Sequence, residues 1–205
     1  MSRVATRSEK RATRTRRRLM EAAMAVFTDY GVDASTIEMI TERADLGKGT
    51  FYCHFRGKED ILAALIQQAI DNLLTVIRQQ TTGSANLQDV LNNLVRAHTS
   101  FFLNHREEYV LLFQGRMLLK LDREMAEIEE PYRCYLADMG RLVEPFVPPP
   151  VDPMKVRRLA CAVAGLVTGF LSFAMITMDA AAIEKNMEPM RKAFVESMVA
   201  FMNPS

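Results

Sequence analysis

From Leu19 to Phe201 the apolar residues recur three and four positions apart, and no segment alternates with period two for long enough to build a strand. That spacing gathers side chains onto one stripe of a helix. The chain must therefore bury helix faces against one another and is expected to be all-α.

Leu19, Ala22, Ala23, Val26, Phe27 and Tyr30 mark a first helix that Gly31 ends. Thr36 is placed to cap a second helix whose Ile37, Ile40 and Ala44 face the same core. Asp45-Leu46-Gly47 breaks the pattern, and a very short third helix follows from about Lys48 to His54. After Arg56-Gly57, the apolar positions from Ile61 to Ile77 predict a long fourth helix, and those from Leu87 to Phe102 a fifth. A sixth is expected over about Arg106 to Leu121 and a seventh over about Asp122 to Phe146, kinked or split at Pro131. Pro148-Pro149-Pro150 is a firm stop, and two more helices are expected, over about Pro153–Met178 and Glu184–Met202.

Leu159 to Met178 is a run of twenty residues without a charge, long enough to cross a membrane. It also carries Thr168, Ser172, Thr177 and two glycines, and no second such span is evident in the sequence, so a helix buried on several sides within a protein is the expected reading and no membrane is called for.

Charge is nearly balanced over the whole chain, with 26 Lys and Arg against 25 Asp and Glu, so net charge alone implies no polyanionic partner. Its distribution does. Residues 1–60 carry 12 basic and 9 acidic residues, and before Leu19 eight cations face only Glu9. A basic arm leading into a folded domain is an electrostatic footprint for nucleic acid. The three cysteines lie far apart, without ligand or disulfide spacing, which fits a reducing cytoplasm; the first residues lack the apolar run of a secretory signal. His98 and His105 have no third ligand at metal spacing, and no nucleophile, metallopeptidase, paired-carboxylate or phosphate-loop pattern occurs. Neither an enzyme nor a cofactor or metal is expected.

Three helices in so short a span, the second and third joined by a tight turn, fit a helix-turn-helix whose third helix enters the major groove. Phe51 and Phe55 would pack inward, leaving Lys48, Thr50, Tyr52, Cys53 and His54 outward. A cation, a hydroxyl, a phenol and an imidazole together can bond phosphates and base edges. A plain solvent-facing helix would carry Glu and Lys, so an exposed tyrosine is informative.

The stretch from Thr36 to Leu62 resembles the DNA-binding signature of the TetR family, most specifically Lys48-Gly49-Thr50-Phe51-Tyr52 followed by Phe55, Lys58 and Glu59; the resemblance covers roughly residues 13–62. It implies that Thr36 and Lys58 bind phosphates at the starts of the second and fourth helices, where helix N-termini favour anions. It implies further that Lys48, Thr50, Tyr52, Cys53 and His54 face DNA. Two positions depart from the family pattern: Asp45 stands where a turn glycine is usual, and Gly47 where a capping side chain is usual. The expected division is a DNA-binding domain over residues 1–57 and a ligand-binding and dimerisation domain over residues 58–205.

Beyond residue 62 the resemblance supplies architecture only: a homodimer through the last two helices, in which Gly165 and Gly169 allow close approach, and a ligand held among the middle helices. Phe101, Phe102, Tyr109, Phe113, Met117, Tyr135, Phe170 and Phe173 are the candidate lining, with Tyr132 and Met175 beside them, and Arg116 is the candidate for an anionic head group. Ten of the fourteen methionines follow residue 110, which suits a roomy site for lipophilic ligands. The expected function is a transcriptional regulator, a repressor released from a two-fold double-stranded DNA operator by a lipophilic effector. The alternative is a DNA-organising or protein-partnered binder of the same fold with no small effector.

Overall fold

The structure is a computed structural model that describes residues 6–117 and 126–203, and among these it holds nine α-helices and no strand. They are α1 (Arg7–Tyr30), α2 (Ile37–Arg43), α3 (Lys48–Tyr52), α4 (Lys58–Thr81), α5 (Leu87–Asn104), α6 (Arg106–Met117), α7 (Ala126–Val143), α8 (Pro153–Thr177) and α9 (Ala180–Met202). The expected all-α class holds.

The chain forms two compact units, one from Met1–Ala69 and Glu107–Glu129, the other from Ile70–Arg106 and Glu130–Ser205. The division between these units falls inside α4, between Ala69 and Ile70. No turn residue marks such a division, because one uninterrupted helix serves both units.

In the first unit, α1 packs on α2 and α2 on α3. Most of the core they share is read from the spacing: Leu19, Ala23, Val26, Phe27, Ile40, Phe51, Phe55, Ile61 and Leu62 are all buried, whereas Tyr30, at the end of the α1 stripe, is exposed and Ile37 is half-buried. The first helix differs from expectation at its start. It begins at Arg7, where Thr6 accepts from the Glu9 amide and the Glu9 carboxylate accepts from the Thr6 amide at 2.6 Å. This reciprocal cap satisfies two backbone donors at the N-terminus, so the basic segment expected as an arm is the opening of α1. At the other end Gly31 takes a φ of 77°, a conformation that glycine adopts without strain, and donates to Phe27 O.

In the second unit, α5 buries Val90, Leu91, Leu94, Val95 and Phe101 and packs on both α8 and α9. Pro131 does not split α7, which runs from Ala126 to Val143 before a 3₁₀ turn at Glu144–Phe146. The proline lies inside the helix, where its missing N–H removes one rung of the ladder. The expected ends at Leu121 and Asp122 fall outside the described residues.

Along α8, Val156, Leu159, Val163, Val167 and Leu171 are buried, while Cys161, Gly165, Gly169 and Phe173 form an exposed row with Ile176 beyond it. The helix, uncharged from Leu159 onward, is therefore covered along one side only within its own chain. Both α4 and α8 are long and apolar enough to cross a membrane; half of the apolar stretch of α4 is buried in the fold, and a third of that of α8.

One buried polar pair ties α5 to α7. His98 Nδ1 lies 2.6 Å from Leu94 O and Nε2 lies 2.5 Å from the Tyr135 hydroxyl. A carbonyl can only accept, so Nδ1 carries the ring proton and Nε2 accepts from Tyr135. Burial disfavours the imidazolium and, against the smaller opposing effect of the Leu94 carbonyl, lowers the His98 pKa to about 4. An ordinary histidine in the unfolded chain titrates near 6.5, so the unfolded state binds the proton first. The contribution of His98 is complete above that pH and is lost as pH falls towards 4, amounting to about 3 kcal/mol over the window. Denaturant unfolding followed from pH 7 to pH 4.5 is expected to show this loss. A His98→Gln variant, less stable at pH 7, should show a shallower dependence; an unchanged slope would mean that His98 is not the group that titrates.

Candidate nucleic-acid interface

α3 has only five residues and begins at Gly47, which offers no side-chain cap. So short a helix cannot persist by its own hydrogen bonds. It is fixed by its aromatic residues: Phe51 is fully buried, Phe55 nearly so, and their rings lie 5.7 Å apart. Arg16 from α1 sits over the outer side of the Phe55 ring, 5.0 Å from its centre.

With Phe51 turned inward, the next residue in the helix must turn out. Tyr52 is 57% exposed and meets Phe51 edge-on, with ring centres 5.5 Å apart. Cys53 is exposed beside it, and Thr50 and His54 are half-buried. The structure thus gathers Thr50, Tyr52, Cys53 and His54 on and just after α3, with Lys48 at its start. The Lys48 ammonium is held by the Glu38 carboxylate of α2, which raises the lysine pKa and lowers that of the glutamate. Any phosphate must compete with Glu38 for it, a partner that spacing alone did not reveal.

The turn into α3 carries the departure noted at Asp45, whose φ is 48°. That left-handed conformation suits the glycine usual there, and aspartate tolerates it better than most residues. Arg18 of α1 braces the turn, donating to Ala44 O at 2.6 Å and lying 3.9 Å from the Asp45 carboxylate.

Thr36 caps α2 as expected, its Oγ1 accepting from the Met39 amide at 3.3 Å. Lys58 is different. Its Nζ donates to Val32 O at 2.8 Å, Ser35 O at 3.0 Å and Asp33 O at 3.3 Å. An ammonium has three donors, and here all three are used on the link between α1 and α2. In the DNA-free chain the ammonium is thus a structural clamp, and a phosphate has to compete with these carbonyls for it.

The expected effector residues are dispersed. Phe101, Phe102 and Tyr135 are buried in the second unit; Phe102 and Tyr135 lie against His98, while Phe101 meets Phe102 edge-on and stacks on His105. Phe170 is half-buried. Phe173 is 77% exposed on the outer row of α8 and does not line an enclosed site of its own chain. Tyr109 and Phe113 belong to the first unit, where their rings stack. The side chains of Arg116 and Met117 lie outside the described ones. Two grooves of the second unit, about 280 Å³ beside Arg96, Thr99 and Arg191 and about 390 Å³ beside Arg133, Gly140 and Arg157, use none of the expected residues.

Comparison with known proteins agrees with this geometry. Residues 19–65 match the model of the bacterial regulatory proteins of the tetR family. The HTH-type transcriptional activator FasR of Mycolicibacterium smegmatis is 32% identical over 100 residues, covering 49% of this chain and 46% of that protein. The HTH-type transcriptional repressor KstR2 of Mycobacterium tuberculosis is 30% identical over 112 residues, covering 55% and 56%. The chain therefore spans about half the length of these two curated relatives. Among solved structures, the transcriptional regulator FadR from Bacillus subtilis in complex with stearoyl-CoA superposes with a TM-score of 0.71 at 17% identity, covering 91% of this chain and 99% of that one. A tetR-family regulatory protein from Rhodococcus RHA1 gives 0.65 at 21% identity, covering 93% and 98%. At such identities the structural likeness shows the fold.

The clamp at Lys58 generates a test. Lys58→Met keeps the aliphatic stem but leaves three carbonyls without their donor, and is expected to cost about 1.5–3 kcal/mol, read as a thermal midpoint lower by about 5 °C. An unchanged midpoint together with weakened DNA binding would restore the phosphate role.

Proposed function

We propose that the chain, whose residues 19–65 match the tetR family of bacterial regulatory proteins, is a DNA-binding transcriptional regulator of that family, a repressor that a lipophilic effector releases from a two-fold operator. The observation that carries the reading is the exposed Tyr52 on a helix whose other aromatic residue, Phe51, is fully buried. Holding a phenol in water gains it little packing beyond its edge-on contact with Phe51, whereas in a major groove its ring and hydroxyl can meet base edges and phosphates. Thr50, Cys53 and His54 extend that surface, with Lys48 available once Glu38 yields it and Thr36 at the start of α2 beside a phosphate.

A two-fold operator needs two reading heads. The exposed row on α8, with Phe173 and Ile176, and the exposed Met190 and Phe201 of α9 support a dimer through these helices. A second copy would cover apolar surface that the chain leaves in water. The effector reading draws on the Met-rich second half and on the stearoyl-CoA bound by the FadR of similar fold. Effector binding would act by changing the separation of the two heads and so their fit to DNA. The proposed location is the cytoplasm.

Selection of bound duplexes from a random pool is expected to enrich a two-fold symmetric sequence. Tyr52→Ala should reduce affinity for that sequence by about 10-fold or more, as expected for a loss of about 1–3 kcal/mol at a base contact, while leaving the thermal midpoint unchanged. Undiminished affinity in the variant would remove α3 from the reading surface.

A further inference from the structure

The first turns of α1 have no core to pack on. The earliest buried residue of the helix is Leu19, yet the helix begins at Arg7 and is secured there by the reciprocal cap between Thr6 and Glu9. Along it, Arg7, Lys10, Arg11 and Arg14 fall at i, i+3, i+4 and i+7, the spacing of a single helical face. All four are exposed. The cations that follow are engaged: Arg16 lies against Phe55 and Met20, Arg17 pairs with Glu21, and Arg18 bonds Ala44 O.

Such a stripe is unfavourable to the helix that bears it. Like charges three and four residues apart repel, and cations near a helix N-terminus oppose the helix dipole. The one acidic residue of the segment, Glu9, is committed to the cap. A face that merely met water would mix signs, whereas this one presents a single sign, ordered at a fixed period.

The position of the stripe identifies the polyanion. Arg18 falls on the same face as Arg7, Arg11 and Arg14, and it reaches the turn joining α2 to α3, directly before the proposed reading residues. From Arg7 to Arg14 the helix rises about 10 Å, a length along which one strand of duplex DNA presents about three phosphates. We propose that the face of α1 formed by Arg7, Lys10, Arg11 and Arg14 is a second, sequence-independent DNA contact that tracks the phosphate backbone beside the site read by α3. This rests on the DNA-binding reading above and extends its footprint along the duplex.

The test uses the full chain, a random-sequence 30-base-pair duplex and the symmetric duplex obtained by selection, with affinities measured across a salt series. Each phosphate neutralised contributes about 0.9 to the slope of log K against log salt. Replacing Arg7, Lys10, Arg11 and Arg14 together by Gln is expected to reduce that slope by about 2–3 per bound chain on both duplexes while preserving the preference for the symmetric one. Changing Arg7, Arg11 and Arg14 to Lys should retain the slope, since a point charge suffices for a phosphate. Removing four exposed cations outside α1, α8 and α9, through Arg96→Gln, Arg106→Gln, Arg133→Gln and Arg141→Gln, should leave it intact. An unchanged slope in the α1 variant, an equal fall in the control variant, or preferential capture of the parent chain by phosphatidylserine vesicles would overturn the proposal. Failure of the parent chain to bind either duplex would instead sink the reading on which it rests.

Discussion

The burial of Phe51 is the contact on which the arrangement of the first unit turns. A helix as short as α3, without a capping side chain, has no independent stability, so its place and orientation are set by the ring it inserts beneath itself. Withdrawing a phenylalanine from water contributes about 2–3 kcal/mol, a large share of what so small an element can gain. The same insertion fixes the rotation of the helix. Tyr52 is then directed outward with Thr50 and Cys53 beside it, and the chemistry offered to a partner follows from a packing decision one residue earlier.

Several longer-range contacts hold the frame into which Phe51 fits. Lys58 reaches back from α4 to three carbonyls between α1 and α2, closing a loop of the chain around the core. Arg18 holds the turn before α3, and Arg43 of α2 pairs with Asp29 of α1 at 2.5 Å. The solvent-exposed pairs contribute little individually. Lys58 differs because it replaces water at backbone groups that the fold partly covers. Arg16, Arg18 and Lys58 therefore serve the architecture, while Arg7, Lys10, Arg11 and Arg14 are left for an external anion.

How much of this was legible before any coordinates depended on the kind of signal. Helix number and order could be read because a 3.6-residue period repeats over many turns, and the tight sequence from Lys48 to Phe55 marked a helix too short for periodicity to find. The role of Lys58 could not be read, since its acceptors are backbone carbonyls, which have no letter in a sequence. The start of α1 was missed because the stripe begins only at Leu19, and the Thr6–Glu9 cap stands well before it. Phe173 was assigned to an interior because apolar residues on α8 occur all round, and composition cannot say which side the chain itself covers. His98 falls on the stripe of the fifth helix and lacks the further ligands of a metal site, but its partnership with Tyr135 joins residues far apart in the chain, and no local spacing announces it.

The most direct test of the central claim is an amide-resolved NMR titration of the labelled chain with the duplex recovered by selection. The account predicts that the largest shift changes fall on Thr50 to His54, with a second set on Arg7 to Arg14 and little change along the outer face of α8 and α9. Changes concentrated on α8 and α9, with α3 silent, would contradict it.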